Sequence, residues 1–188
     1  MKKIISWIGS IGLIGSASSS TYSVVSCGKT NEIKSFTYYK NKGDNDLVKL
    51  FTTKQSSFED KSGHLKLEDN KLTVDYIETK ARDEKQGEFT QHIQGYEGLV
   101  IYVMGFRENE NDSFSLDIKK IIVETKNLNK IVNENNYEMT FYNLAIKGQK
   151  GNDNFDLIIY KETLKSNPSS KEINVSFSKE YQRNIKIS

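Results

Sequence analysis

Strict alternation of apolar and polar residues dominates this 188-residue chain after its first third. Apolar residues occupy every second position at 65–67 and again at 72–76. Such alternation is typical of strands with one buried face. Asp69-Asn70 lies between the two runs, and such a pair favours a tight turn. The segment 65–76 therefore predicts a β-hairpin.

Further apolar segments predict more strands. Leu99–Met104 is a continuous apolar run, which is typical of a central strand covered on both faces. The remaining predicted strands, separated by polar turn formers, are Phe114–Ile118 with Ile121–Val123 extending or restarting it, Met139–Leu144, Phe155–Tyr160, Ile173–Phe177, and Ile185 with Ile187 as a last edge. No repeat of 20–50 residues is present, which argues against a solenoid.

Helical periodicity is weak by comparison. Asp46 can cap one or two turns that carry Leu47, Leu50 and Phe51 at spacings of three and four. Residues 78–86 offer only one residue for burial and are interpreted as a loop or one exposed turn. Many short strands predict an all-β fold, an antiparallel β-sandwich with a small helical element at most. A closed barrel of the lipocalin kind is the alternative, since strand order alone does not distinguish the two.

The first 27 residues have the layout of a secretory signal. Lys2 and Lys3 open the chain, an apolar stretch of 14 residues follows over 4–17, and Val24-Val25-Ser26-Cys27 closes the segment. A bilayer-spanning helix needs about 20 predominantly apolar residues. The stretch therefore indicates a leader rather than a permanent membrane span.

Val24-Val25-Ser26-Cys27 resembles the lipobox of bacterial lipoproteins, and the whole leader resembles those of surface lipoproteins from wall-less bacteria, the spiroplasma-type mollicutes. The polar run Ser18–Thr21 departs from the pattern by ending the apolar block early. The resemblance implies that Cys27 carries the acyl chains and that the Ser26–Cys27 bond is cleaved. It predicts a signal peptide over 1–26, a lipidated cysteine and tether over 27–33, and one β-rich domain over 34–188 on the extracellular face of the cell membrane.

Charge and cysteine content narrow the functional classes. The chain has 27 basic and 25 acidic residues, and two of the basic ones are the lysines of the leader. The mature domain would thus carry no net charge, which argues against binding nucleic acid through a basic face. Cys27 is the single cysteine, so an intramolecular disulfide is excluded.

Motifs of metal and catalytic chemistry are weak throughout. Asp44–Asp46 and Asn152–Asp156 resemble calcium loops, but neither has the glycine and glutamate of an EF-hand, and both are interpreted as hairpin turns. His64 and His92 are the two histidines, outside any zinc or catalytic motif, and are interpreted as surface or edge residues. We expect no metal, no cofactor and no enzymatic activity.

The sequence therefore predicts a non-enzymatic surface lipoprotein whose domain binds or adheres, with a host or surface protein as the expected partner. A small ligand-binding lipoprotein accessory to uptake is the first alternative, and an ectoenzyme is the second. Polar turns at 107–113, 148–154 and 166–171 are the expected contact regions, because recognition usually uses loops held by a rigid scaffold. The many tyrosines are interpreted as filling and rimming the core.

Overall fold

Three long consecutive strands form the centre of the fold. The computed structural model describes residues 22–24, 33–53, 65–76, 97–104, 113–129, 131–133, 136–167, 169 and 173–188. Within these, β6 (Glu138–Lys147), β7 (Asn154–Ser166) and β8 (Ile173–Lys186) pair antiparallel in sequence order. A strand rises about 3.4 Å per residue, so the 13 residues of β7 span roughly 40 Å.

Shorter strands complete a six-stranded sheet around this meander. β4 (Leu99–Met104) and β5 (Ile131–Asn133) both pair antiparallel with the outer side of β6. On the other side, β1 (Tyr22–Val24) pairs parallel with the first three residues of β8. A separate two-stranded hairpin consists of β2 (Leu67–Glu68) and β3 (Lys71–Leu72).

The hairpin at 65–76 is confirmed, together with the turn that makes it. Asp69 and Asn70 have positive φ angles of 49° and 57°. A two-residue hairpin of this kind requires φ > 0 at both central residues, and Asp and Asn tolerate that conformation better than other residues with side chains. The Asx pair thus sets the register of Leu67 opposite Leu72.

Two α-helices cover one face of the large sheet. They are α1 (Asp44–Thr53) and α2 (Ser113–Ile118), and a short 3₁₀ helix follows at Glu124–Asn127. We call the covered side the first face. Its core contains Leu47, Leu50 and Phe51 of α1, which are buried as the sequence predicts and pack with Phe114, Leu144, Ile146, Leu157 and Ile159. The opposite second face carries Ala145, Ile158 and Tyr160, whose described apolar neighbours Val100 and Phe177 come from the sheet itself.

One predicted strand is a helix. Phe114, Leu116 and Ile118 alternate in sequence, yet they belong to α2. Phe114 and Ile118 are fully buried while Leu116 is 49% exposed. Residues four apart share a face of a helix, so a five-residue alternation fits one helical turn as well as a strand. The expected continuation at Ile121–Val123 is a turn in which only Ile122 forms an isolated bridge, to Tyr38.

Asp44–Asp46 is a helix start and not the hairpin turn that the sequence suggested. Gly43 precedes α1, its N–H donates to Oδ2 of Asp46 at 3.0 Å, and its carbonyl accepts from the Asp46 N–H at 3.1 Å. The Asp46 side chain thus makes one half of a capping box from the third helical position, and Gly43, which has no side chain, contributes its backbone carbonyl in place of the other half. The predicted helix is present, but it begins at Asp44 and has ten residues, and Asp46 lies inside its first turn rather than at the N-cap.

The fold class is all-β and antiparallel apart from β1, as predicted. β6, β7 and β8 contain the predicted segments, and β8 also absorbs Ile185, which was expected on a separate edge. β4 is correctly located but lies at one end of the described sheet and not in its centre. Face-to-face packing of two large sheets is not seen among the described residues, so the sandwich stays a prediction. Residues 78–86 lie outside them.

Candidate functional site

The residues with the strongest sequence signals lie outside the described part of the chain. This is true of Ser26 and Cys27, of His64 and His92, and of the turn at 107–113 except for its last residue, which begins α2. Their predicted roles therefore stay predictions. Two of the three predicted contact turns remain, and their positions can be compared.

These two turns lie at opposite ends of the sheet. Residues 148–153 connect β6 to β7 beside the end of β8, since Asn154 pairs with Lys186. Residues 167 and 169 belong to the connection between β7 and β8, at the end where Ser166 pairs with Ile173 and β5 pairs with β6. We call these the turn end and the β5 end. The two loops cannot form one contact surface because a sheet about 40 Å long separates them.

At the turn end, the β6–β7 connection is fixed against the small hairpin. Tyr76 and Gly148 exchange two backbone hydrogen bonds of 2.8 and 3.2 Å. The Gly151 N–H donates to the Leu72 carbonyl at 2.8 Å. The Lys150 N–H donates to Oδ1 of Asp75 at 2.8 Å. A Cβ on Gly148 would lie 2.6 Å from Cδ1 of Leu72, so any other residue here would displace the buried Leu72 side chain.

A shallow hollow of about 440 Å³ lies at the same end of the sheet and is lined by residues 41–46 together with Lys186 and Ser188. Its central group is the carboxylate of Asp44, whose Oδ1 accepts from the Tyr38 hydroxyl at 2.6 Å and whose Oδ2 accepts from the Lys186 N–H at 2.8 Å. The Nζ of Lys42 contacts Oδ1 of Asp46 at 2.7 Å. The hollow is thus a polar, open surface of both charges and suits a polar contact better than an apolar ligand.

Electrostatics beside the hollow favour a neutral tyrosine and an ionised aspartate. Burial and the hydrogen bond to Asp44 raise the pKa of Tyr38 well above its usual range. Arg183 stacks on the Tyr38 ring, with its guanidinium carbon 4.4 Å from the ring centroid, and its Nη1 donates to the Phe36 carbonyl at 3.1 Å. The hydrogen bond from Lys42 lowers the pKa of Asp46. These groups hold three chain segments together.

A second polar cluster joins the segment before β4 to the sheet. Oε1 and Oε2 of Glu97 accept from Nζ of Lys179 and Lys147, each at 2.5 Å. The Glu97 N–H donates to the Tyr160 hydroxyl oxygen at 2.9 Å. The two lysines lower the pKa of Glu97, while burial raises that of Tyr160 above its usual range. A carboxylate engaged by two ammonium groups is a poor general base, so this cluster suits a structural role.

No local sequence pattern predicts this cluster, because Glu97 is separated from its three partners by 50, 63 and 82 residues. Only the pairing of β6, β7 and β8 brings them together.

The segment Asn152–Asp156, which resembles a calcium loop in sequence, holds its carboxylates in internal contacts. Oδ1 of Asp153 accepts from the Asn154 amide at 2.8 Å, and the Asp156 carboxylate accepts from Gln182 and Asn184 at 3.1 and 2.9 Å. Among the residues that the structure describes, no three His, Cys, Asp or Glu side chains are grouped to bind a metal ion. Within the same residues, no helix has the length and apolarity that crossing a bilayer requires.

In comparison with known proteins, no family model, no curated protein and no solved structure matches the chain.

Proposed function

We propose that this chain is a surface lipoprotein, held on the outer face of a bacterial cell membrane by acyl chains on Cys27, and that its domain binds a partner without catalysing a reaction. The observation that carries the proposal is the leader, in which a charged start, a short apolar block and a small residue before cysteine occur in register. Two acyl chains hold a protein stably on a bilayer, whereas one does so only marginally.

Cleavage before Cys27 would remove β1 and leave Lys34 as the described residue nearest to Cys27 that bonds to the sheet. Lys34 forms a parallel bridge with Tyr181 of β8, and its N–H donates to the Glu180 carbonyl at 3.3 Å. The domain is therefore tied to its sheet seven residues after Cys27. Seven residues span at most about 25 Å, so the lipid would hold the sheet close to the membrane.

The direction of the same bridge orients the domain. A chain parallel to β8 approaches Lys34 from the side where β8 begins, which is the β5 end. The β5 end would then face the membrane, and the turn end would face outward. The turn end, with its fixed β6–β7 connection and polar hollow, is thus the surface we assign to partner binding. Lack of net charge in the mature domain means that binding should persist in moderate salt.

The lipid attachment is tested by metabolic labelling with radioactive palmitate and by detergent phase partition. We expect the wild-type chain to take up label and enter the detergent phase, and Cys27→Ser to do neither. Ser26→Ala is the matched control, because it keeps a small residue before the cysteine and should be labelled like the wild type. Equal aqueous partition of the wild type and Cys27→Ser would contradict the proposal.

The binding assignment is tested with vesicles that carry the full-length protein and are applied to host cells. Gln149 and Lys150 are exposed at the turn end, whereas Asn167 and Ser169 are exposed at the β5 end. The double alanine variant at 149 and 150 should reduce adhesion, and the one at 167 and 169 should not. Equal effects would contradict the assignment. Hydrolase or nuclease activity that is lost in His64→Ala or His92→Ala would contradict the non-enzymatic role.

A further inference from the structure

Exposed apolar side chains gather at the β5 end of the sheet. Ile131 is 58% exposed, Val132 is 41% exposed and Tyr137 is 47% exposed. We call these three residues the β5 corner. They fall within seven positions of sequence, although the described residues contain only seven large apolar side chains with such exposure. The three side chains therefore form a local group at one corner of the described sheet.

Pairing of β5 with β6 does not bury these apolar side chains. Ile131 pairs with Thr140 and Val132 with Met139, so the two apolar side chains project to opposite faces of an edge strand. Each is nevertheless exposed, which leaves apolar surface on both sides of β5. Tyr137 adopts a positive φ of 50°, an unfavourable conformation for a bulky residue. Its carbonyl is held by the Ser166 N–H at 2.9 Å.

The β5 corner lies at the end of the sheet from which the chain approaches after Cys27. Cys27 is seven residues before Lys34, and Asn174 is seven residues before Tyr181, the residue that bridges Lys34. A chain parallel to β8 reaches Lys34 from the side where β8 begins, and the seven residues between Cys27 and Lys34 span at most about 25 Å. The start of β8 is eight residues from Tyr181, about 27 Å, so an extended tether is long enough to bring the acyl chains near the β5 end. Lys34 lies on the side of β8 away from β7, and β5 is therefore four strand spacings from it, about 19 Å.

We propose that the β5 corner contacts the surface of the phospholipid bilayer and forms a second attachment point beside the acyl chains. This inference rests on the proposed lipid attachment of Cys27. Ile131 and Val132 would enter the boundary between headgroups and acyl chains, where buried apolar area provides the affinity. Tyr137 has the amphipathic ring that is enriched at this depth. The two attachments together fix the tilt of the domain, so the turn end points away from the membrane.

The exposed area favours a bilayer over a second copy of the chain. Three half-exposed side chains present on the order of 300 Å², whereas a stable protein interface takes about 800 Å² from each partner. β5 contains three residues and so provides few backbone groups for pairing with another strand. Contact of the tethered domain with a bilayer needs neither a large buried area nor backbone pairing between strands, because the acyl chains already hold the domain at the membrane surface.

A spin label that reports its depth in the membrane tests this contact. The full-length chain with Val132→Cys is labelled and reconstituted in vesicles of phosphatidylcholine and phosphatidylglycerol. Acylation blocks Cys27, so only the introduced thiol reacts. Val74→Cys is the matched control, because Val74 is 37% exposed and lies beside the hairpin at the turn end. Ile131→Cys provides a second site if Val132→Cys fails to fold.

The readout is accessibility to oxygen, which concentrates in lipid, relative to a water-soluble nickel chelate. We expect this ratio to be several-fold higher at 132 or 131 than at 74. Equal ratios in vesicle-bound protein would overturn the inference while leaving the lipid attachment intact. Spin–spin broadening at 132 that grows with protein density would identify a second copy as the occupant and also overturn it. A wild-type chain that takes up the label has a free Cys27 thiol, which contradicts the lipid attachment itself.

Discussion

Alanine substitutions along α2 distinguish a helix from the strand that its sequence pattern predicts. A strand over 114–118 would bury Phe114, Leu116 and Ile118 together, since alternate residues share a face. In the structure, only Phe114 and Ile118 are buried. Both interpretations expect a large loss of stability for Phe114→Ala and Ile118→Ala. They differ in the expected loss for Leu116→Ala, which is large for a strand and small for a helix.

The magnitudes follow from the contacts of each side chain. Phe114 is fully buried, with its ring centroid 4.6 Å from that of Tyr102 and 5.9 Å from that of Phe51. Removing such a ring costs about 3–5 kcal/mol of unfolding free energy, and truncating the fully buried Ile118 costs about 2–5 kcal/mol. Leu116 is 49% exposed. Leu and Ala have similar helix propensities, so Leu116→Ala should change stability by less than about 0.5 kcal/mol.

Urea unfolding followed by circular dichroism measures these differences, with the Cys27→Ser chain as the common background to keep the protein free of lipid. A shift in midpoint at constant slope reports stability alone. Leu47→Ala in α1 is the positive control for loss of a buried leucine, as Leu47 has no exposed surface. A loss for Leu116→Ala as large as that for Leu47→Ala would refute the helix.

Three further predictions concern polar groups and use the same unfolding assay. Asp44→Ala should cost about 2 kcal/mol because it removes two charge-assisted hydrogen bonds, whereas Asp46→Ala should lose only a helix cap, about 1 kcal/mol. Folding raises the pKa of Tyr38 and Tyr160. The neutral hydroxyls therefore contribute fully to the unfolding free energy below the unfolded pKa of about 10, and this contribution is lost as pH rises from there through the folded pKa. Tyr160→Phe should flatten this decline in stability at alkaline pH. Folding lowers the pKa of Glu97. The ionised carboxylate therefore contributes to the unfolding free energy above its unfolded pKa of about 4.3, and this contribution is lost as pH falls through the folded pKa. This carboxylate is partly exposed, so Glu97→Gln should remove less than about 1 kcal/mol of acid-dependent stability.

Local sequence chemistry predicts the elements whose signals are short-range. The Asx pair at 69–70 predicts its hairpin because both residues tolerate positive φ. β6 and β7 are predicted from apolar segments with many β-branched and aromatic residues, and in the structure both faces of these strands are largely buried. At 114–118, by contrast, five residues complete hardly more than one helical turn, and the same alternation fits either element.

Contacts distant in sequence account for what could not be predicted. β8 continues through polar residues 178–184 because Lys179 pairs with Glu97 and Gln182 with Asp156, and neither partner is visible from local pattern. The position of β4 likewise depends on which strand it meets. The functional residues likewise divide into those with a local sequence signal and those whose placement depends on the fold. The leader motif can be identified from sequence, but the opposite placement of the turns at 148–154 and 166–171 follows only from strand order.

The last residues of the described domain have a consequence for the time at which it can fold. Ile185 and Ile187 belong to the main core, and the Ile187 N–H donates to the Asp153 carbonyl at 2.7 Å. The Lys186 N–H binds Asp44 at the start of the first helix. The core therefore lacks essential parts until residue 187 has left the ribosome, and no earlier length of chain can close it. Folding of this domain therefore follows the synthesis of its last strand and does not proceed strand by strand as the chain emerges.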